Sequence, residues 1–130
     1  MLDWIERRLK QRKDAEERFE QIEKQINEIW RDIRKAIDHG VENHNSWKKI
    51  DGNVDYFDVT ASDRLGSRKV TVHVDREKQT ILVQRAEGST SFELGLGASR
   101  KIKIFYEKKA ITAAKTAEII LDPLLFPELV

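Results

Sequence analysis

The chain has 130 residues, of which 39% are hydrophobic and 36% charged, and its net charge is +1. This length suits one soluble domain, and the balanced charge creates no global field that would draw the protein onto nucleic acid or a membrane. The absence of cysteine excludes disulfides, thiol catalysis and Cys-ligated zinc, and it agrees with the reducing cytoplasm that we expect to house the protein. We also expect no secretory signal and no membrane span, because no run approaches the roughly 20 apolar residues that a span requires.

The first predicted element is a long amphipathic helix over residues 2–39, a stretch without proline or glycine. His39 and Gly40 together form a typical signal for the end of a helix. The spacing from Asp14 to Glu17 resembles a capping box, so a break near Asp14 is the alternative to the continuous helix that we favour. The helix is predicted from apolar residues at alternating steps of four and three: Ala15, Phe19, Ile22, Ile26, Ile29, Ile33 and Ala36.

Residues 47–107 change to the alternation of strands, separated by short turn signals. Connections this short predict an antiparallel meander of five or six strands, which begins with a short strand at 47–50 and a second strand at 54–61. Turns are expected at 76–79 and 95–99. One face of the sheet is predicted to be apolar, with these inward side chains: Phe57, Val59, Val70, Val72, Val74, Ile81, Val83, Phe92, Leu94, Ile102, Ile104 and Tyr106.

The C-terminal segment, residues 111–129, returns to helical spacing. Thr112 is the expected N-cap, and Asp122 with Pro123 is expected to start a new helical turn. The apolar tail should cover the core through Leu124, Leu125, Phe126 and Leu129. The sequence therefore predicts a single α+β domain over 1–130: a long N-terminal amphipathic helix on an antiparallel meander sheet, with a short C-terminal helix.

No motif in the chain has the spacing of a known catalytic, metal or phosphate site. His39 and His44 are five residues apart on either side of Gly40, which is not the one-turn pair of a helical metal site. His73 alternates with valines and faces away from the core, with Asp75 as its nearest carboxylate. The loop at 95–101 resembles a phosphate loop only weakly, because a strand follows it. We therefore expect no enzyme, no cofactor and no bound metal.

Two clusters of basic residues need another explanation. Residues 1–13 carry net charge +3 and are followed by net −4 over 14–28, while residues 100–109 carry +4. Basic side chains near a helix N-terminus oppose the helix dipole, so helix stability does not account for the first cluster. The second cluster lies beside Phe105 and suggests, at most, weak binding of single-stranded nucleic acid.

Geometry predicts self-association. A helix over 2–39 would be about 57 Å long, whereas five or six strands measure only about 20–25 Å across. The first 15 or so residues must therefore project, fold back or meet another molecule. Two helices crossing antiparallel near Asp14 would match the +3 and −4 segments. The hypothesis is a non-enzymatic interaction module, a homodimer or a binder of a protein partner, with these residues in the interface: Trp4, Ile5, Arg7, Arg8, Leu9, Lys10, Arg12, Glu16, Phe19 and Glu20. The alternatives are a small apolar ligand held in a cavity between sheet and helices, and weak nucleic-acid binding.

Overall fold

The computed structural model describes residues 3–42, 47–52 and 54–129. Its elements follow one another along the chain as one long helix, seven strands, a second helix and a short 3₁₀ turn, which confirms the α+β class. Their bounds are α1 (Asp3–Glu42), β1 (Trp47–Gly52), β2 (Tyr56–Asp63), β3 (Gly66–Asp75), β4 (Thr80–Arg85), β5 (Gly88–Leu96), β6 (Ile102–Tyr106), β7 (Lys109–Ile111), α2 (Ala113–Leu125) and the 3₁₀ turn (Pro127–Leu129).

The sheet is the predicted antiparallel meander, with its strands in the order β1 to β7. It has seven strands, whereas five or six were predicted from the sequence. β7 pairs with β6 around a two-residue turn at Glu107 and Lys108, which have φ angles of 50° and 68°. Positive φ at both positions is the geometry of a type I′ hairpin, which normally uses Asn and Gly. The Glu-Lys pair hid this turn from sequence reasoning, and Ile111 therefore belongs to a strand instead of the predicted C-terminal helix.

The predicted bounds of two strands and one turn are shifted by about two residues. β1 ends at Gly52 instead of at residue 50. β2 starts at Tyr56, two residues after the predicted start, and Val54 before it is 76% exposed. The hairpin turn between β5 and β6 lies at 97–101, where the Gly97 amide donates to the Lys101 carbonyl at 2.9 Å. The predicted turn at 95–99 was too early because Leu96 still pairs with Ile102.

Both helices contact the sheet, and the core that they form with it is the one that the strand alternation predicts. Ile102 and Tyr106, which were also predicted to face inward, are half-buried and pack against the edge of this core. The fully enclosed sheet residues alternate along each strand, as a half-buried sheet requires: Phe57, Val59, Ala61, Val70, Val72, Val74, Ile81, Val83, Phe92, Leu94 and Ile104.

α1 is one continuous helix, as we favoured, so the alternative of a break near Asp14 is wrong. The helix also continues past the predicted stop at Gly40. A Cβ atom at Gly40 would lie 2.7 Å from Cδ1 of Leu121, so a larger residue would have to displace the buried Leu121 side chain where α2 approaches. Val41 follows within the helix and is 4% exposed, because burial against the core extends α1 by almost another turn.

α2 begins as predicted, with the Thr112 hydroxyl accepting a hydrogen bond from the Lys115 amide at 3.0 Å. The predicted restart at Asp122 is wrong, because α2 continues through Pro123 to Leu125. Proline has no N–H, so the carbonyl four residues earlier, at Ile119, loses its helical donor. Nη2 of Arg85 replaces that donor, at 3.1 Å from the Ile119 oxygen and 2.7 Å from the Ile120 oxygen.

The end of α2 is held by a second arginine. Nε of Arg68 donates to the Leu124 carbonyl at 2.7 Å, and its guanidinium also pairs with the Asp63 carboxylate at 2.8 Å. Leu124 and Leu125 are buried as predicted. Phe126 and Leu129, however, are 40% and 77% exposed, because the chain leaves the core after Leu125 and the 3₁₀ turn runs along the surface.

Candidate interaction surface

The first half of α1 extends beyond the sheet. At about 1.5 Å per residue, the 40 residues of α1 span about 60 Å. The first buried side chain along the helix is Ile22 and the last is Val41. We call residues 3–20 the projecting segment, since every one of them is exposed. The projecting segment is about 27 Å long, and its 18 residues are close to the first 15 or so that were predicted to lie beyond the sheet.

Two glutamines mark the place where the sheet begins to hold α1. Nε2 of Gln79 donates to the Phe19 carbonyl at 2.9 Å. Gln25 bonds the β5–β6 hairpin twice, donating to the Arg100 carbonyl and accepting from the Ile102 amide, both at 2.9 Å. The side-chain amide of Gln25 therefore satisfies a carbonyl in the turn before β6 and the first amide of β6, which ties this hairpin to α1.

Further polar contacts fix the part of α1 that lies on the sheet. Nε1 of Trp30 donates to the Val54 carbonyl at 2.7 Å. The guanidinium of Arg76 donates both to Asn27 of α1 and to the Asp55 carboxylate, at 2.8 Å in each case. This hydrogen bond lowers the pKa of Asp55 below its usual value. By contrast, the side chains of residues 3–18 make one hydrogen bond within the described chain, from Arg8 to Gln11.

The projecting segment carries four large apolar side chains that are exposed. Trp4, Leu9, Phe19 and Ile5 are exposed to 61%, 53%, 40% and 37% respectively. Single exposed apolar residues are common, but several large ones along one helix segment are more typical of a protein interface. The helix itself holds these side chains at fixed spacing.

The structure brings only some of the predicted interface residues together. All ten lie on the projecting segment and are exposed. At about 100° per residue, however, Lys10 points about 180° away from Phe19, and Arg7 about 120° away. Five of the ten share one face, and Arg8 and Glu20 flank it on either side, while Trp4 lies farther round. The shared face consists of Ile5, Leu9, Arg12, Glu16 and Phe19.

The other residues that we singled out do not converge. His39 is exposed on α1, His73 lies on the open face of the sheet between Tyr56 and Leu82 of the neighbouring strands, and His44 lies outside the described residues. Within residues 3–42, 47–52 and 54–129, no group of three or more histidine or acidic side chains is placed to hold a metal ion. Among the helices described, none is both long and apolar enough to cross a membrane.

The glycine loop and the aromatic residue of the second basic cluster contact each other. A Cβ atom at Gly95 would lie 2.9 Å from the Phe105 ring, and one at Gly97 would lie 2.6 Å from the Lys103 side chain. Phe105 and Lys103 thus cover the two glycines across the hairpin. The Phe105 ring is half-buried in this contact, which leaves less of it for stacking on a base.

One apolar groove was not predicted. It lies between α1 and α2, has a volume of about 320 Å³ and is lined mainly by small or apolar side chains, including Ala36, Gly40, Ala117, Leu121 and Phe126. The small residues along both helices could have indicated such a groove, although a sequence does not reveal which helices pack against each other. No protein-family model matches this chain, and comparisons with curated proteins and with solved structures find no significant match.

Proposed function

We propose that this domain is a non-enzymatic protein-interaction module whose projecting segment binds a second copy of the chain. The observation that carries the proposal is the exposure of Trp4, Ile5, Leu9 and Phe19 on a rigid helix segment that the sheet does not cover. We further propose that the module works in the cytoplasm, where its lack of cysteine would be expected.

Charge complementarity favours a second copy as the occupant. The net +3 of residues 1–13 adjoins the net −4 of residues 14–28 on the same helix. Two antiparallel copies bring unlike segments together at both ends of the contact, whereas two parallel copies bring like segments together. Exposed ion pairs contribute only about 0–1 kcal/mol each, so they select the arrangement of the helices while the apolar side chains supply affinity.

The expected dimer is weak. A contact between two helices over about 27 Å is smaller than a standard protein interface, which buries about 1,200–2,000 Å². We therefore expect a dissociation constant on the order of 10 μM.

Sedimentation velocity from about 1 μM to about 300 μM, a range that brackets this constant, tests the proposal. The wild-type chain should change from monomer to dimer over that range. Leu9→Asp should remain monomeric, because it places a charge in the apolar contact. Gln11→Asp is the matched control, since it makes the same change of charge about 160° round the helix from Leu9 and should still dimerise. A wild-type chain that stays monomeric throughout contradicts the proposal.

The second candidate function is the binding of a small apolar ligand. It is favoured by the groove between α1 and α2, whose volume of about 320 Å³ lies at the lower end of the range for ligand pockets. The groove lies between the two helices instead of between the helices and the sheet. Fluorescence of the dye ANS tests this candidate: Ala114→Leu should reduce dye binding by filling the groove. Dye binding that Ala114→Leu leaves unchanged rejects the groove as a ligand site.

A further inference from the structure

We infer that two copies pair antiparallel through a single row of α1, with Leu9 of each copy against Phe19 of the other and Arg12 against Glu16. This inference rests on the proposed self-association and specifies its face and register. The row follows alternating steps of four and three, so at about 100° per residue its members lie within about 40° of a common direction. Its members are Ile5, Leu9, Arg12, Glu16, Phe19 and Glu23, and all six are exposed.

The register follows from the symmetry of a two-fold pair, in which every contact occurs twice. When the two helices cross at the level of Asp14, residues equally far before and after that level oppose each other. Arg12 then meets Glu16, and Leu9 meets Phe19. Each half of the interface therefore holds one apolar contact, between Leu9 and Phe19, and one ion pair, between Arg12 and Glu16. At its outer end Ile5 lies opposite Glu23.

Shifting the helices by one heptad in either direction removes this match. In one direction Phe19 would oppose Glu16, and the approaching helix would run into the sheet that covers Ile26 and Trp30. In the other direction Leu9 would oppose Arg12. Neither shift keeps the Leu9–Phe19 pair, and both set a charge against an apolar side chain at the centre of the contact, which is unfavourable. The inferred register does so only at its outer ends, where Ile5 meets Glu23.

The fold of each copy leaves room for this register. Glu23 is the last exposed member of the row, and the next residues in the same stripe, Ile26 and Trp30, are buried against the sheet. In the inferred register Asp3 of the second copy lies opposite Gln25, where the hairpin contacts begin. The described part of the second helix, from Asp3 onward, therefore lies opposite residues of the first copy up to Gln25. A parallel pair would instead place both sheets side by side at the same end and set Arg12 against Arg12.

Disulfide cross-linking between single-cysteine variants tests the inference, and the chain offers a background free of cysteine. An equal mixture of Arg12→Cys and Glu16→Cys should form a mixed disulfide on mild oxidation, because facing positions bring two Cα atoms within the roughly 4.4–6.8 Å that a disulfide requires. The matched control is a mixture of Lys10→Cys and Arg18→Cys. These positions are also equally spaced about Asp14 but lie on another face of the helix, so they should cross-link several-fold less.

Each result decides between arrangements. A strong disulfide formed by Arg12→Cys alone indicates a parallel pair and overturns the inference. Equal cross-linking of the control mixture overturns the inferred face. If sedimentation shows a dimer while Arg12→Cys and Glu16→Cys do not cross-link, the inference fails and the proposed function stands. If sedimentation shows only monomers, the proposed function itself fails.

Charge reversal gives an independent check that needs no oxidation. Arg12→Glu or Glu16→Arg alone should weaken self-association by about tenfold, since each variant turns two attractive pairs into repulsive ones. Mixing the two variants should restore association between unlike chains, because each then supplies the charge that the other lacks. Failure of the mixture to associate more tightly than either variant alone contradicts the Arg12–Glu16 pairing.

Discussion

Replacing Arg85 with methionine tests how α2 tolerates a proline in its interior. Pro123 leaves the Ile119 carbonyl without a helical donor, and Nη2 of Arg85 donates to that carbonyl and to Ile120. The arginine is partly buried, and burial lowers its pKa. Its Nε atom is buried without a hydrogen-bond partner among the described residues. Methionine keeps much of the apolar stem and removes the guanidinium, so the variant isolates the two bonds.

The expected loss is about 2 kcal/mol. A hydrogen bond from a charged donor contributes about 1.5–3 kcal/mol, and an unsatisfied buried carbonyl costs about 1–3 kcal/mol. Relief of the desolvation of Arg85 offsets part of this sum. In a Pro123→Ala background the new amide can serve Ile119, so the cost of Arg85→Met should fall to about 1 kcal/mol. The coupling free energy between the two positions is therefore about 1 kcal/mol.

Urea unfolding monitored by far-ultraviolet circular dichroism measures the free energies of unfolding of the wild-type chain, the two single variants and the double variant. Arg64→Met is the control, because Arg64 is an exposed arginine in the turn between β2 and β3, and its replacement should change stability by less than about 0.5 kcal/mol. The reasoning is refuted if Arg85→Met lowers the free energy of unfolding equally in the wild-type chain and in the Pro123→Ala background. It is also refuted if Arg85→Met costs no more than the control.

Three further predictions concern contacts around α1. Gly40→Ala should lower the urea midpoint although alanine favours helices, because its Cβ would lie 2.7 Å from the Leu121 side chain. If Gly40→Ala costs as much in a Leu121→Ala background as in the wild-type chain, this clash is not the cause. Gln25→Leu should cost about 1–2 kcal/mol and speed hydrogen exchange of the Ile102 amide, and unchanged exchange would contradict the hydrogen bond between that amide and Gln25. The hydrogen bond from Arg76 lowers the pKa of Asp55 below 3.8, so the pair stabilises the fold above the unfolded pKa, and this contribution is lost as pH falls through the folded pKa. Arg76→Gln should raise the pKa of Asp55 in an NMR titration, and an unchanged pKa would refute that cause.

The fold was largely predictable because its dominant signals are local. Alternation such as Phe57, Val59 and Ala61 requires a strand with one buried face, and short connections between such strands leave few arrangements other than a meander. The steps of four and three in α1 likewise require a helix. These patterns depend on the period of the backbone and on the need to bury one face, and neither depends on distant residues.

The features that were missed depend on distant partners. Gly40 reads as a helix end until the approach of Leu121 explains it, and Pro123 reads as a helix start until Arg85 supplies the missing donor. The turn at 107–108 is hidden for a different reason, since its backbone geometry is held by strand pairing and not by residues that prefer positive φ. In each case tertiary contact overrides a local preference.

The length of the projecting segment was predictable from the sequence, but which of its side chains share one face was not. Comparing the length of the helix with the width of a sheet was enough to predict that about half of α1 would be uncovered. Which side chains share a face depends on whether the helix continues past Asp14, and only the structure shows that it does. Because the helix is continuous, only some of the ten predicted residues lie in one row, and Arg7 and Lys10 lie on other faces.

The composition of that row differs from that of the stripe that α1 packs on the sheet. On the sheet the stripe consists of isoleucines, valine and Trp30, which are fully desolvated by the core. In the projecting segment the row includes Arg12 and Glu16, whose burial against an apolar sheet would carry a large desolvation cost. Between two helices these side chains remain partly hydrated and meet opposite charges, so the same residues favour a helix pair and disfavour packing on the sheet. The change from isoleucine to charged residues thus sets where α1 leaves its own core and where a second copy is expected to bind.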